Sequence, residues 1–367
     1  MNHDFYIDTG IYLRYNLIMS RIHDVAKQAG VSTATVSRTF STPDLINDRT
    51  QQRVLEVARQ LDYQPRRGRA VARAKPENTL TQTIGFQFFS ATARDRLQTN
   101  TFYASILDGA QSEASLLGMH LMLHSTDRYS LSENLPRMIL EQAVGGMLLV
   151  GTAEPAILAA FAQHVPKIVL VDNKDETDTY ESVLSDGCGG AFAATQYLLK
   201  LGHRRIGFLL GERSVMTFQD RLSGYLSALF EEGIPADPQI VISDDTQEKV
   251  LSNIADLLRS KTRPTAVLAA NDYHASLLVR VCREMGIRIP DDLSVVGFDD
   301  IPLSSHNDPP LTTVRVDTES MGRLAVRRLH TRLHSDSPES VSNHSYLPSI
   351  RNVMPVSLIV RDSCRAI

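Results

Sequence analysis

Two sets of side chains in this 367-residue chain have the types and spacing for recognition chemistry. The first lies in DVAKQAGVSTATVSRTF, residues 24–40, where Ser32, Thr33 and Ala34 follow a lone Gly30 and Arg38 stands one helical turn later. Short polar residues opening a helix, with a guanidinium fork a turn on, are the groups that meet base edges in a DNA major groove. The second set is scattered: Asp172, Asn271 and Asp299 each close a short apolar run, and Arg221 begins the helical pattern after RIGFLLG. Gathered at one mouth, two carboxylates, an amide and a guanidinium would hold a small hydroxyl-rich ligand. Taken singly, strand-end Asp and Asn residues also cap helices.

Neither set is catalytic in pattern. The chain contains no GxSxG and no HExxH, and its 11 histidines form no tight motif. GCGGAF, residues 187–192, has the glycines of a phosphate loop but not the G-x-G-x-x-G spacing, and it follows no clear apolar run. Cys188, Cys282 and Cys364 are far apart and unpaired in sequence, so neither a disulfide framework nor a metal site is expected. The expectation is a binding protein without cofactor or metal, not an enzyme.

The elements that must position these groups can be read from periodicity. Val25, Ala26, Ala29, Val31 and Val36 flank a turn at Gly30, and the pattern predicts a helix, a tight turn, and a second helix capped by Ser32. A third helix starts at the cap Asn47, with Val54, Leu55, Ala58 and Leu61 expected on its inner side. From residue 83 onward, runs such as IGFQFF, GMLLV, KIVLVD, RIGFLLG, TAVLAAN and LSVVGFD alternate with amphipathic segments. Near-continuous Val, Ile and Leu runs separated by helices signal parallel strands with right-handed crossovers. The expected fold is a small all-α head followed by a two-lobed α/β core, with ligands beyond the carboxyl ends of the strands.

Charge divides along the same boundary. Residues 21–75 carry eleven Arg or Lys and five Asp or Glu, a balance of +6, while the whole chain stands at -4. A basic head on an acidic body suits a polyanionic partner for the head alone. No apolar run approaches membrane-spanning length, and the first 20 residues carry acids and a Gly where an export signal needs an unbroken apolar core, which points to the cytoplasm.

These residues are also those of a known family. IHDVAKQAGVSTATVSR, LDYQP (61–65), LGHRRIGFL (201–209), RLSGY (221–225), AAND (269–272), VVGFDD (295–300), PPLTTV (309–314) and MPVSLIVRDS (354–363) together resemble the LacI/GalR bacterial transcriptional regulators over nearly the whole chain from residue 21. The resemblance implies a homodimer gripping a palindromic operator in double-stranded DNA, and a core like a periplasmic sugar-binding protein crossed three times by the chain. It implies Thr33, Ala34 and Arg38 at base edges, with Thr35, Ser37, Asn47 and Tyr63 near phosphates. Around the effector, expected to be sugar-like, it places Asp172, Arg221, Asn271 and Asp299, the same positions that the strand-end rule selects. Phe102 and Tyr103, in NTFY, are expected to cover a sugar face. The implied organisation is an extension at 1–20, disordered or ahead of the true start, a helix-turn-helix domain at 21–64 and a hinge or linker at 65–82. The core at 83–367 is then divided into an N-subdomain of 83–184 plus 316–344 and a C-subdomain of 185–315 plus 345–367.

The chain departs from the family at the hinge. Relatives carry Asn-x-x-Ala-Arg-x-Leu with the Leu in the minor groove, whereas here RRGRAVA places Ala72 there, with Val71 beside it. Gly68 costs a short helix about 1 kcal/mol relative to Ala. An alanine methyl unstacks little, so either Val71 substitutes or the operator is bent less. Arg66, Arg67, Arg69 and Arg73 offer phosphate contacts in compensation. The loop SATARDRLQTN, 90–100, is longer than usual, with Arg94 and Arg96 expected in solvent, and no leucine heptad follows VSLIVRDS, so no tetramer is expected.

Overall fold

The computed structural model describes residues 22–41, 46–61, 63, 82–90, 97–127, 135–175, 177–243, 247–335 and 349–367. The hinge positions Arg66, Arg67, Arg69, Val71, Ala72 and Arg73, and the loop residues Arg94 and Arg96, lie outside these. The chain divides into two compact units, residues 1–76 and 77–367.

In the first unit, α1 (Ile22–Ala29), α2 (Thr33–Ser41) and α3 (Asp48–Gln60) close over Val25, Ala26, Ala29, Val36, Val54, Val57 and Ala58. Gly30 supplies a left-handed φ of +64° between α1 and α2, a conformation costly to any residue with a Cβ. The Val31 N–H then bonds back to the Ala26 carbonyl at 3.0 Å, closing the turn. α3 differs from expectation by one position. Leu55 is exposed and Val57 is buried, because Val54, Val57, Ala58 and Leu61 hold the i, i+3, i+4, i+7 stripe while Leu55 is rotated about 100° from Val54.

The second unit holds two six-stranded sheets. The first is built from β1 (Thr83–Ser90), β2 (His120–Asp127), β3 (Gly146–Val150), β4 (Ile168–Val171), β5 (Glu181–Ser185) and β11 (Arg351–Met354), in the order β11-β5-β4-β3-β1-β2 and wholly parallel. The second takes β6 (Ile206–Gly211), β7 (Val241–Ser243), β8 (Ala266–Ala269), β9 (Ser294–Asp299), β10 (Thr312–Arg315) and β12 (Ser357–Ile359), in the order β12-β10-β9-β8-β6-β7, with only β12 antiparallel. Strands such as β3, β4 and β8 are buried along their whole length, as helices on both faces require.

Helices cover each sheet. α4 (Thr101–Leu116), the short α5 (Arg137–Leu140) and α6 (Pro155–Ala162) belong with the first, joined late in the chain by α12 (Thr318–His334), which packs on α4 and on β3, β4 and β5. α7 (Gly187–Lys200), α8 (Met216–Glu231), α9 (Gln247–Arg259), α10 (Asp272–Glu284) and α11 (Pro302–His306) belong with the second. The chain thus passes between the lobes after β5, after β10 and between β11 and β12.

Two readings of the sequence need correction. Residues 351–354, expected in the C-subdomain as part of 345–367, pair with β5 of the first sheet, so the last crossing falls at Pro355 and Val356. GCGGAF does follow a strand, β5, and it opens α7 as a packing surface. A Cβ on Gly190 would stand 2.7 Å from Val356, and one on Gly224 of α8 only 2.0 Å from the Cys188 carbonyl. Gly224 lets α8 approach α7 closely and Gly190 makes room for Val356 and the Phe298 ring, which explains both without a phosphate.

Candidate functional site

The helix-turn-helix residues are held by local bonds. Ser32 caps α2: its Oγ accepts the Thr35 N–H at 3.1 Å and pairs with Thr35 Oγ1 at 2.9 Å. Its side chain is therefore occupied in setting the start of the helix. Ala34, Ser37 and Arg38 are exposed on α2, whereas Thr33 and Thr35 are half-buried. Asn47 caps α3 by accepting the Arg49 N–H at 3.0 Å. Tyr63 packs its ring 6.0 Å from Phe40, and its N–H bonds the Ala58 carbonyl at 2.8 Å, fastening the chain just beyond α3. The exposed Ala34, Ser37 and Arg38 give α2 a polar, basic outer face.

The second set converges, as the strand-end rule requires. Asp172 follows β4, Arg221 lies in the second turn of α8, Asn271 caps α10 after β8, and Asp299 ends β9. Arg221 is 2% exposed, its Nη1 donates to the Ala270 carbonyl, and its guanidinium lies 3.9 Å from the centre of the Phe298 ring. Its Nη2 stands 3.0 Å from Asp299 Oδ1 in a buried ion pair. Tyr103 donates to Asp172 Oδ2 at 2.8 Å and packs 4.8 Å from Phe88. Phe102 sits instead in the hydrophobic cluster of the core, edge-on to Tyr103 at 5.1 Å. Asn271 spends its Oδ1 on the His274 N–H at 2.9 Å, so its amide NH2 is the group it offers outward.

Backbone strain and buried charge mark the same place. Asp172, Asp299 and Asp300 have φ of +53°, +107° and +55°, conformations that L-residues hold only where the surroundings impose them. Burial raises the pKa of Asp299 to about 8, with repulsion from Asp272 and Asp172 adding to it against the pull of Arg221. Asp172 is raised by burial too, opposed by Arg221 and Tyr103. His274, in the first turn of α10, is lowered to about 4 by burial and then by Arg221.

Several residues that pattern reading missed complete the site. Asn173 and His274 each leave a buried polar atom unbonded, as do Asp172 Oδ1 and Arg221 Nε. Phe218 and Phe298 flank the guanidinium. Lys174, which follows β4 of the first lobe, reaches Asp220 on α8 of the second at 2.7 and 2.8 Å. Asp272, fully buried, accepts from Ser304, Thr313 and the Ile301 N–H, which locks α10 to β10 and α11, and its pKa rises to about 6 through burial. Of these, Asp272 beside Asn271 is itself a strand-end acid that the sequence pattern selects, and Asn173 and Lys174 are signalled by adjacency to Asp172 alone. Among the described residues no group of three or more His, Cys, Asp or Glu could hold a metal ion, and no helix is long and apolar enough to cross a membrane.

Comparison with known proteins agrees with this geometry. Residues 21–66 match the family model described as bacterial regulatory proteins, lacI family, and residues 195–364 match a periplasmic binding protein-like domain. The chain is 33% identical over 326 residues to the HTH-type transcriptional repressor PurR of Vibrio atlanticus, covering 88% of this chain and 94% of that one. A PurR of Photobacterium profundum is 31% identical over the same shares. Among solved structures, a transcriptional regulator CelR–cellobiose complex superposes with a TM-score of 0.69 at 29% identity, covering 94% of this chain and 99% of the other. The lac repressor dimer bound to operator and an anti-inducer gives 0.69 at 26%, covering 95% and 100%. A capped helix-turn-helix in one unit and a polar, strained cleft between two mostly parallel sheets in the other, with identity at this level across nearly nine-tenths of the sequence, place the chain in the lacI family of bacterial regulatory proteins.

Proposed function

We propose that this regulator represses transcription as a cytoplasmic homodimer on a palindromic operator, and that a sugar or related carbon-source metabolite in the core cleft sets its operator affinity. Four polar atoms without a partner, on Asp172, Asn173, Arg221 and His274 beside the Arg221–Asp299 ion pair, carry the effector half of this reading. Buried polar groups without partners cost roughly 1–3 kcal/mol each, a cost that a hydroxyl-bearing ligand removes. The exposed face of α2, with Arg38, supports the DNA half.

In this mechanism Ala34 and Arg38 read base edges, with Thr33 beside them, while Thr35, Ser37, Asn47 and Tyr63 lie toward phosphates. Ser32 starts the helix. The effector draws the lobes together, and differential affinity of about 1–3 kcal/mol between two lobe arrangements is enough to shift operator occupancy.

Gel retardation with operator fragments tests the DNA half: the intact chain retards a specific fragment, and removal of residues 1–75 abolishes this. Arg221→Ala tests the effector half. It is expected to retain operator binding and lose the effector response, and an undiminished response in that variant rejects the cleft.

A further inference from the structure

The turn that ends β9 carries two neighbouring aspartates with different engagements. Asp299 meets Arg221 in the cleft. Asp300 is held instead by two arginines: its Oδ2 accepts Arg315 Nε at 2.7 Å and its Oδ1 accepts Arg361 Nη2 at 2.6 Å. Arg315 is the last residue of β10, and Arg361 lies just beyond β12. With a guanidinium on each oxygen and its side chain 7% exposed, the Asp300 carboxylate is satisfied within the protein and has little to offer a ligand.

The backbone of this pair needs outside support. Asp300, at φ of +55°, lies in the left-handed region that Asp and Asn visit, but Asp299, at +107°, lies well beyond it. Several ties impose that path. The Asp299 carbonyl accepts the Val316 N–H at 3.3 Å, where the chain leaves β10, and the Ile301 N–H donates to Asp272 Oδ2 at 3.0 Å. Between these two lies the Asp300 clasp. Its Arg361 is anchored in turn, Nη1 donating to the Leu311 carbonyl at 2.7 Å and the backbone N–H to Thr312 Oγ1 at 2.9 Å.

The clasp does little for the fold as a whole. Arg315 is 55% exposed, and a pair with one partner so solvated adds little to global stability. What it fixes is direction. Rotation of the Asp299–Asp300 turn would carry Asp300 away from both arginines and Asp299 away from Arg221 together, because the two side chains leave adjacent residues of one strained backbone. Asp272 is a poorer candidate for this task, since its carboxylate also holds Ser304 and Thr313 and so serves α11 and β10 as well as the turn.

We propose that Asp300 is a positioning residue for the cleft: clasped by Arg315 and Arg361, it holds the turn after β9 in its left-handed form and so keeps the Asp299 carboxylate against Arg221. It touches no ligand and acts through Asp299. Its consequence for binding rests on the reading of the cleft as the effector site, whereas its effect on Asp299 can be measured with no ligand present.

Carboxyl-carbon NMR of the full chain, labelled at aspartate and with Asp299→Asn to assign the resonance, follows Asp299 directly. Asp300→Ala removes the clasp, and Asp299 is expected to leave its pocket for solvent. Burial is the largest influence on its titration, so the midpoint should then fall by at least about one pH unit. Asp300→Asn tolerates the left-handed backbone and still accepts a guanidinium bond, and is expected to restore most of the wild-type behaviour. The double variant Arg315→Gln, Arg361→Gln should match Asp300→Ala. Arg315→Gln alone alters an exposed side chain and gives a smaller fall in the same direction should Asp300→Ala fail to fold. A midpoint that stays or rises in these variants overturns the proposal. Calorimetric titration with ribose, glucose, cellobiose and hypoxanthine supplies the binding readout: any of these that binds the wild type is expected to bind Asp300→Ala about tenfold more weakly, with most of the loss recovered in Asp300→Asn. Lower resistance to urea with the Asp299 titration and the affinity both intact makes Asp300 structural alone and rejects the positioning role. If none of the four compounds binds the wild type, the effector reading loses its support, and the Asp299 titration still decides the positioning role by itself.

Discussion

Lys174 of the first lobe and Asp220 of the second hold each other at 2.7 Å, a direct ion pair between the two halves of the core. The pair is partly solvated, with 14% and 35% of the side chains exposed, so its worth is modest. It forms only when the lobes are as close as they stand here. Asp220→Ala is therefore expected to favour the open arrangement and weaken effector binding by about two- to fivefold, equivalent to about 0.5–1 kcal/mol. Lys174→Ala should do the same, and the double variant should add nothing to either single one. Calorimetric titration of the four proteins closes this cycle, and additive losses would show that the two side chains act independently.

The arginines following the head set a second expectation. Each phosphate neutralised by Arg66, Arg67, Arg69 or Arg73 contributes about 0.9 to the slope of log affinity against log salt. Replacing all four by Gln is expected to flatten that slope by roughly 3–4 and to weaken all duplexes alike. Arg38→Ala should act differently, with a loss of about 1–3 kcal/mol confined to the cognate sequence. Filter binding to cognate and scrambled duplexes over a range of salt concentrations separates the two effects.

His203 is fully buried and ties the end of the chain to the second sheet. Its Nδ1 pairs with Thr265 Oγ1 at 2.9 Å, and its Nε2 lies 3.0 Å from Ser294 Oγ and 3.1 Å from the Arg365 carbonyl. Burial lowers its pKa, so the fold favours the neutral ring. The unfolded chain then binds the extra proton first, and the associated stability, complete above about pH 6.5, is lost as pH falls below that value. His203→Gln is expected to lower stability at neutral pH and to reduce its dependence on pH below about 6.5. Urea denaturation at a series of pH values measures both.

Gly224 lets α8 touch α7. Because an added Cβ would lie 2.0 Å from the Cys188 carbonyl, a backbone atom that cannot swing aside, Gly224→Ala must force the helices apart. A cost of about 2–3 kcal/mol is expected, in spite of the better helix propensity of alanine. A denaturation midpoint at or above that of the wild type would mean the helices relax without penalty.

Some of this protein is written in short stretches of its sequence. Gly30, Ser32 and the apolar positions of 24–40 act within a turn or two of each other, so the bend, the cap and the outward direction of Arg38 follow from neighbours alone. Runs such as GMLLV and LSVVGFD mark buried parallel strands because a strand covered on both faces has no polar side to show. Asp172, Asn271 and Asp299 are picked out as candidates by rule, since ligands of open parallel sheets gather where strands end.

Other features depend on partners far away in the chain, and no local pattern announces them. Gly187 of GCGGAF faces α8 and Gly190 faces Val356 and Phe298, all far later in the chain, and residues 351–354 join a strand laid down far earlier. His274 and Asn173 belong to the cleft because two sheets bring their unbonded atoms beside Arg221, and Lys174 meets Asp220 only once the lobes face each other. Helical turns and strand ends are decided by neighbours within a few residues. Charge balance, close helix contact and the set of atoms left for a ligand are decided by which surfaces folding brings together, and these only the tertiary structure supplies.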